Sequence, residues 1–191
     1  PIDYAVRIVA DIADALAYAH SKTDLDGKPI HLVHCDISPQ NLIVTYSGYA
    51  KVVDFGIAKI GNDTDTKQLK GKASYVAPEQ VCGEQLDART DIFSLGVVLY
   101  EAITRTRLFQ RESAVASLDA IVSDEPIPPA SSRNPEVPPS LEAILALALA
   151  RNRNDRYETA GAFHAALEEW LSSETRAPRH VDIKRYMHAR F

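Results

Sequence analysis

The run His34-Cys35-Asp36-Ile37-Ser38-Pro39-Gln40-Asn41 is followed, after twelve residues, by Asp54-Phe55-Gly56. One carboxylate there can orient a hydroxyl and accept its proton as a bond to phosphorus forms. An amide five residues on, and a second carboxylate before a glycine, are hard oxygen donors of the kind magnesium prefers. Asp36 on its own reads more readily as a turn cap before Pro39, and Asp-Phe-Gly on its own is a weak signal. The spacing of all three gives them a common chemistry: Asp36 as the base, Asn41 and Asp54 as metal ligands.

Short strands must bring these groups together. Leu42 to Thr45 and Lys51 to Val53 are apolar runs with Ser47-Gly48 between them, which predicts a hairpin returning Asp54 to the edge that carries Asn41. His31 to Val33 is a third run suited to a small strand. Gly56 lets the backbone turn after the second acid.

The rest of the chain predicts helices. Ile2, Val6, Val9, Ala13, Leu16 and Ala17 fall at helical spacing within Ile2 to Ser21. Thr90 to Thr104 is apolar on nearly every side and belongs in the middle of a core. Further helices are expected over Ser113 to Val122, Leu141 to Ala150, Thr159 to Leu171 and Asp182 to Arg190. Asp24 to Pro29 is a turn-rich loop, Gly61 to Lys72 a polar segment, and Thr175 to Pro178 a break. The five prolines between Glu125 and Pro139 make that stretch a connection rather than a helix.

Composition narrows the function classes. With 191 residues, 46% hydrophobic and 25% charged, the chain can build one domain with a sizeable core. A net charge of −5 gives no reason to expect nucleic acid or an anionic membrane as partner. Cys35 and Cys82 form no disulfide framework and carry no metal spacing, which points to a reducing, cytoplasmic setting. No run is long and apolar enough for a membrane span. The chain opens with Pro1 rather than Met, so it is expected to be a piece of something longer.

The octet and Asp54-Phe55-Gly56 resemble the catalytic loop and metal-binding triplet of protein kinases. Ala77-Pro78-Glu79, within Tyr75-Val76-Ala77-Pro78-Glu79-Gln80, is similar to the end of that family's activation segment. Ser38-Pro39-Gln40-Asn41 and Val52 to Lys59 are similar to the bacterial branch of the Ser/Thr kinases. The resemblance implies a mainly α fold, the large C-terminal lobe of a kinase, with a small antiparallel β cluster carrying the catalytic loop. It divides the chain into a lobe over residues 1–172, with the catalytic loop at 34–41 and the activation segment at 54–79, and a basic helical extension over 173–191.

The resemblance also implies ATP and magnesium as cofactors, a protein Ser or Thr hydroxyl as acceptor, and Gln40, Asn41, Ile43 and Asp54 as the nucleotide-facing residues, with Ile43 on the adenine floor. Asp91 matches the family's buried acid that ties the catalytic-loop backbone to the core helix, and Arg156 the arginine that pairs with Glu79. Glu101 lies where some relatives read a basic residue on the substrate, and is also readable as a structural acid on the core helix. In the tail, Ile183, Tyr186 and Met187 share a helical face that is expected to pack on the lobe.

The departures are as informative. No Gly-X-Gly occurs, so the sequence holds no glycine-rich loop over ATP phosphates, and no lysine-bearing strand or partner-glutamate helix precedes the catalytic loop. Residues 1–191 alone are therefore expected to be inactive, with an apolar cleft near Ile43 and Phe55 that another lobe or an oligomer partner covers. A protein-interaction module of the pseudokinase kind is the alternative. Cys35 stands in place of an arginine that grips an activation-loop phosphate, so Thr64, Thr66 and Ser74 are possible phosphosites without that clamp. Ser38 stands in place of a lysine that meets the transferring phosphate. Lys72, where many members have Thr, faces that position and is a candidate catalytic cation; a solvated loop lysine is the other reading.

Overall fold

A computed structural model describes residues 1–55, 72–173 and 177–190. Gly56, Thr64, Thr66, Lys70 and most of the Gly61 to Lys72 segment lie outside the described residues, as do Thr175 and Arg176.

Helix α1 (Ile2–His20) turns Val6, Val9, Ile12, Ala13 and Leu16 inward, and all are buried. It packs on α6 (Ala160–Ser173) and on α3 (Ala88–Thr104). Asp87 caps α3 by accepting from the Arg89 N–H at 2.9 Å, and Arg105, in the left-handed region at φ 57°, ends it. Between them the helix is buried nearly all round. Gly96 permits this: a Cβ there would lie 3.1 Å from Ala148 Cβ, so the glycine is what lets α3 approach α5 (Pro139–Ala148). Helix α4 (Ala114–Val122) begins where expected, Ser113 accepting from Ala116 N–H at 3.0 Å.

The β cluster is smaller than expected. Strands β1 (Leu42–Val44) and β2 (Ala50–Val52) pair antiparallel, with Leu42 opposite Val52. Gly48 sits at the turn with φ 92°. The strand expected at His31 to Val33 does not form. His31 is left-handed at φ 53°, which breaks an extended run, and the next backbone N–H groups are claimed by a side chain instead of a neighbouring strand. A short helix α2 (Pro78–Val81) was not foreseen; four residues are too few to show periodicity.

The tail packs on the lobe. Helix α7 (His180–Arg190) buries Ile183, half-buries Met187 and stacks Tyr186 on Tyr4 at 5.4 Å between centroids. Its first turn meets the hairpin tip, where the Tyr49 ring stacks on His180 at 4.2 Å and a Cβ on Gly48 would fall 2.0 Å from the His180 carbonyl oxygen. His180 Nε2 lies 3.0 Å from Asp11 Oδ2, and Arg7 reaches both Glu168 and the Pro178 carbonyl. Among the described residues no helix is long and apolar enough to cross a membrane.

Candidate active site

The site is built from below by Asp91. This side chain, 0% exposed in the first turn of α3, accepts from the His34 and Cys35 N–H groups at 2.8 Å each and pairs with His20 Nε2 at 2.8 Å. Three donors satisfy a carboxylate that burial would otherwise make costly. To present both N–H groups to one carboxylate the chain turns left-handed at Cys35, φ 62°. His34 continues the frame upward. Its Nε2 lies 3.1 Å from the Val53 carbonyl and its Nδ1 3.2 Å from the Asp36 N–H. A carbonyl only accepts and an N–H only donates, which fixes the Nε2–H tautomer. One ring thus ties the loop before Asp36 to the strand end before Asp54.

On this frame the sequence-predicted residues meet. The turn Pro39–Asn41 brings the Asn41 amide back onto Asp36, with Nδ2 donating to the carbonyl oxygen at 2.7 Å and to carboxylate Oδ2 at 3.0 Å. The amide nitrogen is consumed, and Oδ1 is the atom left with lone pairs to offer a cation. Asp54 reaches the same edge because Val53 N–H donates to the Asn41 carbonyl at 3.0 Å, extending the hairpin by one bond. Asp54 is exposed, with φ 60° turning the chain away after it. The Asn41 Oδ1 and the Asp54 carboxylate are hard oxygen donors of the kind that fits magnesium, which takes one or two protein carboxylates together with substrate phosphates. Among the described residues no group of three His, Cys, Asp or Glu could hold a metal.

Gln40 is exposed on the turn, and Ile43 is 47% exposed on β1, an apolar side chain standing free beside the acids. Phe55 is half-buried with its ring 4.7 Å from His34. Lys72 closes the group: its Nζ donates to Asp36 Oδ2 at 2.7 Å.

Behind Lys72 the chain is held firmly. Ala73, Ser74 and Tyr75 are buried in one turn, which leaves Ser74 only 6% exposed. The Tyr75 hydroxyl donates to Glu101, and burial, reinforced by that carboxylate, pushes its ionisation well above the ordinary range. Glu101 also pairs with Arg107 at 3.5 Å, so in this state it anchors Tyr75. Gln80 accepts from the Ala77 N–H and donates to the Cys35 carbonyl, both at 3.0 Å, fastening this segment to the loop that carries Asp36. Glu79 and Arg156 form a buried bidentate pair, at 2.7 and 2.8 Å. Sequence reasoning did not single out His20 or the bridging role of Gln80. Each acts across more than forty residues, at a position whose type alone carries no periodicity or spacing signal.

The protein kinase domain matches residues 2–171. The chain is 49% identical over 90% of its length to the tyrosine-protein kinase MasK of Myxococcus xanthus, of which it covers 27%. It is 39% identical over 85% of its length to the serine/threonine-protein kinase PknB of Mycolicibacterium smegmatis, covering 25% of it, and 38% identical to a probable serine/threonine-protein kinase of Streptomyces coelicolor, covering 24%. The chain therefore spans about a quarter of the length of the curated relatives it matches.

Proposed function

Because the chain belongs to the protein kinase family, we propose that it is the large lobe of a bacterial eukaryotic-like kinase that transfers the γ-phosphate of ATP to a Ser or Thr hydroxyl of a protein. The observation that carries this reading is the Asn41 amide on Asp36, Nδ2 to Oδ2 at 3.0 Å, with Asp54 directly after the Val53 N–H that bonds the Asn41 carbonyl. Asp36 orients the acceptor hydroxyl and takes its proton. Asn41 Oδ1 and the Asp54 carboxylate hold magnesium, which when bound neutralises charge on the phosphates. Ile43 offers an apolar floor to the adenine, and Gln40 borders the same opening.

The half-exposed Ile43 supports the expectation that residues 1–191 alone turn over negligibly. Phosphoryl transfer depends on a closed, preorganised site, and Gln40, Ile43 and Asp54 are exposed here. The isolated chain is expected to associate through that face, which light scattering reads directly. The alternative, an interaction module without chemistry, gives no reason for the Asn41 amide to be held on Asp36.

The test is phosphotransfer by the complete gene product with ATP and magnesium, with Asp36→Asn as the control expected to lose about 10²-fold or more of the turnover. Absence of transfer from the unaltered protein refutes the reading. Phosphoamino-acid analysis decides the acceptor. A Ser or Thr product supports the proposal, while phosphotyrosine favours the second reading suggested by the name of the Myxococcus relative.

A further inference from the structure

We infer that Lys72 is the cation of the transfer step, delivered to the phosphoryl group from the activation segment rather than from the catalytic loop; this rests on the kinase reading above. Four observations carry it. Lys72 Nζ lies 2.7 Å from Asp36 Oδ2, the carboxylate that faces the acceptor. Among the described residues it is the one basic side chain paired with Asp36. It is only 34% exposed, so it is no freely solvated lysine. The catalytic loop offers no cation of its own nearby: Ser38 is 1% exposed and its hydroxyl meets no hydrogen-bond partner among the described residues.

A lysine from another part of the chain serves only if its backbone is held. Tyr75 on Glu101, Gln80 on the Cys35 carbonyl and Glu79 on Arg156 fix the segment within eight residues of Lys72. Gln80 is thus a positioning residue, linking the chain that carries Lys72 to the loop that carries Asp36.

In the described state the ammonium sits on Asp36. An acceptor hydroxyl donating to Asp36 takes over that oxygen and frees the ammonium for the γ-phosphoryl oxygens. The hydroxyl proton then passes to Asp36 as the oxygen–phosphorus bond forms, the bond from the γ-phosphorus to the bridging oxygen breaks, and ADP leaves. Lys72 stays protonated throughout and meets the charge that gathers on the transferring group.

The test uses the complete gene product carrying Lys72→Ala, Lys72→Arg, and Ser38→Lys combined with Lys72→Ala, with Lys28→Ala as an exposed control. Lys72→Ala should lower kcat by about 10²-fold with little change in the ATP KM. It should also weaken binding of the phosphoryl mimic formed from magnesium, ADP and aluminium fluoride, while leaving ADP binding alone. Lys72→Arg should keep part of the rate, and Ser38→Lys should restore about tenfold to Lys72→Ala by returning a cation from the other side. Equal rates in Lys72→Ala and Lys28→Ala overturn the inference and leave the kinase reading standing. So does a loss in Lys72→Ala with unchanged mimic binding and no rescue, which assigns Lys72 to holding the segment. No transfer by the unaltered protein overturns both.

Discussion

Among the described residues, two ion pairs join the stretch from Lys72 to Glu79 to the rest of the lobe, and they are built oppositely. Glu79 and Arg156 are both nearly inaccessible, and all five guanidinium N–H groups are used: two on Glu79 and three on the carbonyls of Arg89, Ala150 and Arg151. Thr90 adds a donor to the Glu79 carboxylate at 2.9 Å. Asp36 and Lys72 share one bond, and their side chains are 24% and 34% exposed. The first pair has no spare hydrogen-bonding capacity and nowhere to go. The second has spare protons on its ammonium and is partly exposed to solvent on both sides. One is a buried fastening, and the other is a single contact partly open to solvent.

The comparison breaks most easily at Arg156. Arg156→Ala leaves Glu79 buried and uncompensated, which should cost about 3–5 kcal/mol, or about 6–20 °C in melting midpoint for a chain of this size. Calorimetry checks this. The pair also sets an acid limit. Burial pushes the Glu79 carboxyl up, but the hydrogen bonds and charge of Arg156, its own backbone N–H and Thr90 together hold it below the ordinary carboxylate value. A depressed folded value means the stabilisation is complete above the unfolded value and is lost as pH falls through the folded one. Acid unfolding of the unaltered protein should therefore begin below the usual Glu range, and Arg156→Ala should move its onset upward.

Asp91→Ala comes next. It strands the His34 and Cys35 N–H groups and His20, and should cost about 2–4 kcal/mol, with turnover falling further than stability because Asp36 rides on that loop. Gly48→Ala should cost about 1–3 kcal/mol, since the new Cβ meets the His180 carbonyl oxygen and the residue holds φ 92°. Hydrogen exchange should locate its effect in α7 and the hairpin turn. The smallest shift belongs to Lys72→Met, at under about 1 kcal/mol by chemical denaturation. A stability loss at Lys72 as large as that at Arg156 would erase the distinction between the two pairs.

Much of this arrangement was legible in the sequence. Helices α1, α3 and α6 announce themselves because an apolar face recurs over many turns, and the hairpin because Ser47-Gly48 separates two apolar runs. The spacing of Asp36, Asn41 and Asp54 survives into geometry because a tight turn and a two-stranded ladder leave little freedom between them. His31 to Val33 misled because an apolar run needs a partner strand, and the N–H groups that follow it belong to Asp91. The donation from His20 to Asp91 and that from Gln80 to Cys35 were hidden, since both join positions far apart in the chain. Tail packing was foreseen through Ile183, but its hold on the hairpin depends on a glycine's missing Cβ.

The left-handed backbone at Cys35 and Asp54 also governs which residues these two positions can accept. At φ 62° and 60° a β-branched side chain is strongly disfavoured, by about 1–2 kcal/mol or more, while glycine or asparagine would relax the chain. Position 35 is therefore constrained as a shape before it is constrained as a chemical group. A thiol can stand there because Asp91 takes the N–H of residue 35 and Gln80 its carbonyl, both main-chain atoms.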